Sequence, residues 1–118
     1  MKKINVAVIG FGSRGRWVTE AVLLKMKDVH VAAVCDVYED RAAAGAALTA
    51  SAQETAALAF TDYRDALAVK GLDAVLIFTA WESHTEIAVA AMKAGIPVGS
   101  EVGGEYSLAA CQKLVTTF

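Results

Sequence analysis

Val6-Ala7-Val8-Ile9-Gly10-Phe11-Gly12-Ser13-Arg14-Gly15 decides how this chain is read. Four apolar residues make a buried strand, glycines make a turn, and the polar residues behind them open a helix. Gly10, Gly12 and Gly15 stand in the G-x-G-x-x-G spacing. Each glycine has a mechanical reason: a tight turn off the strand, backbone close approach to a pyrophosphate, and helix packing on the strand. The N-terminus of such a helix presents unpaired N–H groups and partial positive charge to phosphate. The spacing alone is weak. Here it follows a strand, opens a helix and precedes an acidic residue at the right distance.

Outward from that stretch, apolar runs alternate with helical patterns, which predicts β-α-β units and a parallel sheet. The first strand is Lys3–Ile9 and the first helix runs from about Ser13 to Lys27, with Trp17, Val18, Ala21 and Leu24 spaced to face the sheet. Val29–Cys35 is nearly all apolar, as a strand buried on both faces should be. Glu39–Leu58 is alanine-rich and reads as a helix, broken near Ser51, whose small side chains lie close to the sheet. A short strand follows at Ala57–Phe60. Thr61 caps a short helix through Leu67, and Gly71 ends it. Ala74–Phe78 is the fourth strand. Ser83 and Glu86 form a capping box that opens a helix over His84–Ala94, stopped by Gly95 and Pro97. Ile96–Ser100 is the fifth strand, and Ser107 caps a last helix with a stripe of Leu108, Cys111, Leu114, Val115 and Phe118. The expected fold class is α/β: a Rossmann-type doubly wound parallel sheet, order 3-2-1-4-5, with helices on both faces. No sixth strand and no substrate wall follow. Residues 1–118 therefore read as the dinucleotide-binding domain of a longer protein whose C-terminal domain would bind substrate.

Bulk properties fit one packed domain. Of 118 residues, 56% are hydrophobic and 20% charged, which is too apolar for a disordered chain. The net charge of −2 comes with no basic patch for nucleic acid and no polybasic run for a membrane surface. No apolar run is long enough to span a bilayer, and the short run behind Met1-Lys2-Lys3 ends in glycines rather than forming a signal core. Cys35 and Cys111 read as buried thiols of a cytoplasmic protein, not a disulfide. The histidines and cysteines have no metal-ligand spacing.

The chemistry is expected at the carboxyl ends of the strands. Asp36 closes the second strand, about 20 residues past the glycines, where an acid accepts hydrogen bonds from the adenosine ribose hydroxyls. It would repel a 2′-phosphate, and Val37 and Tyr38 put no arginine in its place, so NAD is preferred over NADP. Arg14 in the turn is placed to reach a phosphate or the adenine side. A solvated first-turn arginine is the other reading, disfavoured by the helix dipole. After the fourth strand comes Thr79-Ala80-Trp81-Glu82-Ser83-His84, a loop at the ligand edge. His84, in the first turn of a helix, has its imidazolium disfavoured by the dipole, so a neutral ring can contact ribose or shuttle a proton. It is the candidate catalytic residue. Glu101, with Val102-Gly103-Gly104 behind it, follows the fifth strand and can hold the nicotinamide ribose.

These stretches resemble the Gfo/Idh/MocA oxidoreductase family. The resemblance is carried by Asp73-Ala74-Val75-Leu76-Ile77-Phe78-Thr79, His84, Ala90-Ala91-Met92-Lys93-Ala94-Gly95-Ile96-Pro97-Val98 and Glu101, with Thr61-Asp62-Tyr63-Arg64 behind the third strand. It covers nearly the whole chain, as that family's N-terminal Rossmann domain. It implies an NAD-dependent dehydrogenase acting on a sugar or polyol, forming a homo-oligomer through its second domain. Two positions depart: Thr79-Ala80 stands for the family's Thr-Pro, and Glu101-Val102-Gly103 for Glu-Lys-Pro, so the family's active-site lysine is here Val102. Trp81-Glu82-Ser83-His84 and Glu101-Val102 are similar to the NAD-dependent alpha-N-acetylgalactosaminidase branch. That likeness implies cofactor contacts along Gly10, Phe11, Gly12, Ser13, Arg14 and Gly15, at Asp36, at Thr79, Trp81, Ser83 and His84, and at Glu101 and Val102. It also implies the alternative of a redox-assisted glycoside hydrolase, in which oxidation at sugar C3 acidifies the C2 proton before elimination. A non-catalytic NAD-binding sensor module is the third reading.

Overall fold

The computed structural model describes residues 4–53, 55–78 and 81–100, with the backbone alone given for residues 81–85 and 100. The elements are β1 Ile4–Ile9, α1 Ser13–Ala21, a 3-10 turn Leu23–Lys25, β2 Val29–Cys35, α2 Glu39–Ala52, β3 Leu58–Phe60, α3 Tyr63–Leu67, β4 Ala74–Ile77, α4 Trp81–Lys93 and β5 Val98–Ser100. The strands form one parallel sheet in the order β3-β2-β1-β4-β5. This is the Rossmann arrangement that alternating apolar and helical segments predict.

Both faces of the sheet are covered, which is why its central strands are nearly all apolar. Ala7, Ile9, Ala33, Cys35, Val75 and Ile77 pack with Ala66 of α3 and with Ile87 and Ala88 of α4. Val6, Val8, Val31 and Val34 pack on the other face with Phe11, Leu23 and Ala57. Strict alternation along β2 would put Val31 and Val34 on opposite faces. The register slips by one between Val6 and Ala7: Val6 pairs with Val31, but Ala7 pairs with Ala33. Ala32 is the extra residue of a bulge, and it brings both valines to the same side. Gln53, just past α2, then serves β2 as a short strand would. Its Oε1 accepts from Val31 N–H at 3.2 Å, and its Nε2 donates to Val31 C=O at 2.8 Å.

α2 lies close to the sheet because its buried positions are small. Ala42, Gly45 and Thr49 face inward, and a Cβ built on Gly45 would stand 2.5 Å from Val34 Cγ1. Thr49 is fully buried, and its hydroxyl accepts from Ala57 N–H at 2.8 Å. α4 ends as its sequence predicts. Gly95 takes φ +78° while Ile96 N–H reaches Ala91 C=O and Gly95 N–H reaches Met92 C=O, which is a Schellman motif.

Four expectations need correction. Trp17 does not face the sheet; it is 56% exposed. Gly15 and Thr19 are the buried residues of α1, and residue 17 falls about 200° round the helix from residue 15. The first helix stops at Ala21 instead of Lys27, and the tighter turn after it carries Leu23 into the core. Thr61 is not the cap of α3: the Asp62 carboxylate accepts from Arg64 N–H at 2.9 Å. That bond holds the Asp62 carboxyl below its ordinary range. Ser83 and Glu86 are not a capping box, because α4 begins earlier, at Trp81. Residues 81 and 82 contain no helix breaker, and an acid in the first turn favours an early start. The sequence Trp81-Glu82-Ser83-His84 is therefore helix and not loop, with His84 one turn from Trp81. The proposed helix after Ser107 lies outside the described residues.

Candidate dinucleotide site

The glycine turn behaves as its spacing demands. Gly10 has φ +96°, which residues with a Cβ rarely adopt. A Cβ on Gly15 would fall 2.1 Å from Gly10 C=O, so the third glycine is what allows α1 to sit on the strand end. Gly12 differs: among the described residues a Cβ there would meet only the Arg41 guanidinium, at 3.6 Å, an ordinary contact. The described residues leave room at Gly12, and room there is what a phosphate group needs. Gly12 is also the N-cap of α1, with no side-chain cap and no acid in the first turn. The N-terminal dipole of α1 is therefore not offset by a carboxylate of its own helix.

Asp36 stands opposite this turn. Phe11 N–H donates to its Oδ2 at 2.7 Å and Tyr38 N–H to its Oδ1 at 3.0 Å. The residue is 7% exposed. Each carboxylate oxygen keeps acceptor capacity beyond one bond, so Asp36 locks the turn to the end of β2 and can still accept from a ligand.

A cleft of about 770 Å³ opens at this carboxyl edge, lined by Gly10, Gly12, Asp36, Tyr38 and Arg41 on one side and by Asp62, Tyr63, Arg64, Phe78 and Glu86 on the other. Tyr63 Oη donates to Glu86 Oε1 at 3.2 Å, tying α3 to α4 across the far wall. Burial first, and then that carboxylate, raise the Tyr63 phenol above its ordinary value. Cys35 at the floor is pushed up to about 11, first by burial and then by Asp36, Asp62 and Asp65. It is a free, buried thiol. A second depression, about 490 Å³, lies near Leu24, Val29 and Gln53 and carries none of the motif residues.

Of the residues singled out in the sequence, Gly10, Phe11, Gly12, Gly15 and Asp36 come together at this edge. Arg14 is turned along α1, with its guanidinium 5.2 Å from the centroid of Trp17. Ser13 is the exposed first residue of α1. Trp81, Ser83 and His84 stand on the first turns of α4, where the backbone alone is described. Thr79, Glu101, Val102 and Cys111 lie outside the described residues. The glycine spacing and the Asp36 position do not point to Arg41. Its guanidinium lies over the Tyr38 ring, 4.7 Å from the centroid, beside Gly12. The signal for it was present: an arginine in the first turn of the helix that leaves the Asp36 edge.

The model of the oxidoreductase family with an NAD-binding Rossmann fold, Gfo/Idh/MocA, matches residues 4–118. The chain belongs to this family. Among curated Gfo/Idh/MocA relatives, a glycosyl hydrolase family 109 protein of Stenotrophomonas maltophilia is 36% identical over 107 residues, covering 86% of this chain and 23% of the relative. An inositol 2-dehydrogenase of Corynebacterium glutamicum is 33% identical over 97 residues, covering 82% of this chain and 27% of the relative. The WlbA dehydrogenase of Bordetella pertussis, solved with NADH and UDP-GlcNAcA, superposes with a TM-score of 0.84 over 98% of this chain and 34% of that one, at 22% identity. At that identity the likeness speaks for the fold. The chain spans about a quarter of the length of the curated relatives. Among the described residues there is no cluster of potential metal ligands, and no helix is long and apolar enough to cross a membrane.

Proposed function

We propose that this Gfo/Idh/MocA domain binds NAD in preference to NADP and serves a dehydrogenase acting on a sugar or polyol-like substrate. The observation that carries the reading is the placement of the Asp36 carboxylate, at the end of β2, across from a glycine turn with room at Gly12. In this reading the N–H groups of α1 hold the pyrophosphate and Gly12 lets it approach. Asp36 accepts from the adenosine ribose hydroxyls. Phe11, Ser13 and Arg14 complete the turn. Thr79, Trp81, Ser83, His84, Glu101 and Val102 are carried into the proposal from the sequence, as the nicotinamide end, with His84 as the residue that holds or moves a proton. A bound nicotinamide dinucleotide supplies hydride transfer; binding and orientation fall to the protein. The substrate wall and any homo-oligomer contact are assigned to a C-terminal domain of the kind the relatives' greater length would hold. A cytoplasmic location belongs to the same proposal.

A second reading, a redox-assisted glycoside hydrolase, is favoured by Val102, which offers no proton donor where the family places lysine. One experiment separates the two. The whole protein is given a trace of NAD with nitrophenyl glycosides and free polyols, and both nitrophenol and NADH are followed. Steady NADH from a polyol supports the dehydrogenase. Nitrophenol release that requires NAD and accumulates no NADH overturns it for the hydrolase. NAD binding with neither product leaves a non-catalytic module.

A further inference from the structure

We propose that Tyr63 is a positioning residue: its hydrogen bond to Glu86 sets where the first turns of α4 stand, and with them the nicotinamide end of the cleft. The inference rests on reading the cleft as a dinucleotide site. α3 follows β3 and α4 follows β4, yet Tyr63 and Glu86 line the same wall. Tyr63 opens α3. Glu86 stands on α4 two residues past His84 and three past Ser83, within a turn of the residues assigned to the nicotinamide end.

Three features of the geometry support Tyr63. The donor is held before any ligand arrives. Its ring packs against the core on this face of the sheet, the Arg64 guanidinium lies 5.6 Å from its centroid, and Arg64 is itself tied to the Asp62 carboxylate at 3.2 Å. The acceptor sits where direction matters. Ile87 and Ala88 bury the next positions of α4 by apolar contact, which holds the helix down without aiming it. A hydrogen bond is directional, so the Tyr63–Glu86 bond fixes the start of α4 sideways, against α3. The bond also constrains without locking. At 3.2 Å it is longer than the roughly 2.7–2.8 Å usual between oxygens, as contacts at a ligand site often are before the ligand tightens them.

The test is calorimetric titration of the whole protein, and of Tyr63→Phe, Glu86→Ala, Glu86→Gln and the Tyr63→Phe/Glu86→Ala double variant, with NADH and with ADP-ribose, which lacks the nicotinamide. Tyr63→Phe and Glu86→Ala should each weaken NADH roughly three- to tenfold, as befits one ordinary hydrogen bond, while ADP-ribose changes less than about twofold. The double variant should be no weaker than either single one, because the two residues act through one bond. Glu86→Gln should stay within about twofold of wild type, since the amide oxygen still accepts from the phenol. Tyr63→Phe keeps the packed ring and Glu86 is exposed, so an unchanged urea midpoint will show that the variants fold. Unchanged NADH affinity, equal losses for NADH and ADP-ribose, additive losses in the double variant, or no rescue by Glu86→Gln would overturn the role of Tyr63 and leave the dinucleotide reading standing. Wild-type protein that binds neither probe would overturn both.

Discussion

Asp36→Asn keeps the shape of the side chain and removes its charge, which separates what this residue does for the fold from what it does for a ligand. Without any ligand, the carboxylate accepts from Phe11 N–H and Tyr38 N–H in a position 7% exposed. An amide has one acceptor oxygen. One N–H therefore keeps a partner, now neutral, and the other faces an NH₂ group, donor against donor. Losing charge assistance on the first costs about 1 kcal/mol, and stranding the second costs about 1–3 kcal/mol. The sum, about 2–4 kcal/mol, is a large share of the roughly 5–15 kcal/mol that holds a domain together. Urea unfolding of the ligand-free protein measures it directly. Calorimetry then reads the second job, where loss of a charged acceptor should weaken NAD by roughly 10- to 100-fold and NADP by less. A variant within about 0.5 kcal/mol of wild type in urea would refute the claim that Asp36 locks the glycine turn. Unchanged NAD affinity would refute its place at the ribose.

Other residues give equally direct outcomes. Gln53→Leu should cost at least about 2 kcal/mol in urea, because Val31 is fully buried and its N–H and C=O both lose their partner; the Val31 amide should also exchange faster, and an unchanged exchange rate would show that another group satisfies it. Gly15→Ala must move α1 off the strand end, since its Cβ would fall 2.1 Å from Gly10 C=O; NAD binding should be lost and the urea midpoint lowered, and full affinity would disprove the close-packed turn. Cys35 predicts a pH effect. Its thiol is raised from 9.0 to about 11 in the folded state, so the stability it contributes is full below about pH 9 and drains away as pH rises through 11. The total is about 3 kcal/mol at 1.36 kcal/mol per unit. Urea midpoints of wild type and Cys35→Ala should converge over that range, and parallel curves would refute the shift.

The fold was legible where local chemistry and global arrangement agree. The β1–turn–α1 unit, the continuous apolar run of β2 and the Gly95 stop each have one reading, because a positive φ or a doubly buried strand admits few residues. The rest depended on rotation and register, which periodicity does not carry. Trp17 fits an apolar stripe, yet contact at Gly15 sets the phase of α1 and leaves the tryptophan outside. Thr61 and Ser83 are good caps by type, but neighbouring residues start those helices instead. Gln53 looks like any residue after a helix until a register slip leaves Val31 in need of a partner. The site divides the same way. Asp36 is fixed by its distance from the glycines. Arg41 enters because the first turn of α2 brings its guanidinium beside Gly12, and inspection of Val37 and Tyr38 alone passes over it.

The slip at Ala32 bears on the cleft from the far end of β2. Each residue added to a strand exchanges its two sides, so the strand works as a parity counter between its start and Asp36. Ala32 advances that counter by one. By alternation Asp36 then emerges on the side of Phe11, whose N–H it receives. Removing Ala32 would leave composition, length and hydrophobicity almost untouched, yet it would send either the valines or the acid to the wrong side. A single-residue deletion distant from any ligand would thus read out as a change of cofactor chemistry, whereas a substitution at Ala32 would leave the count, and so the side on which Asp36 emerges, unchanged.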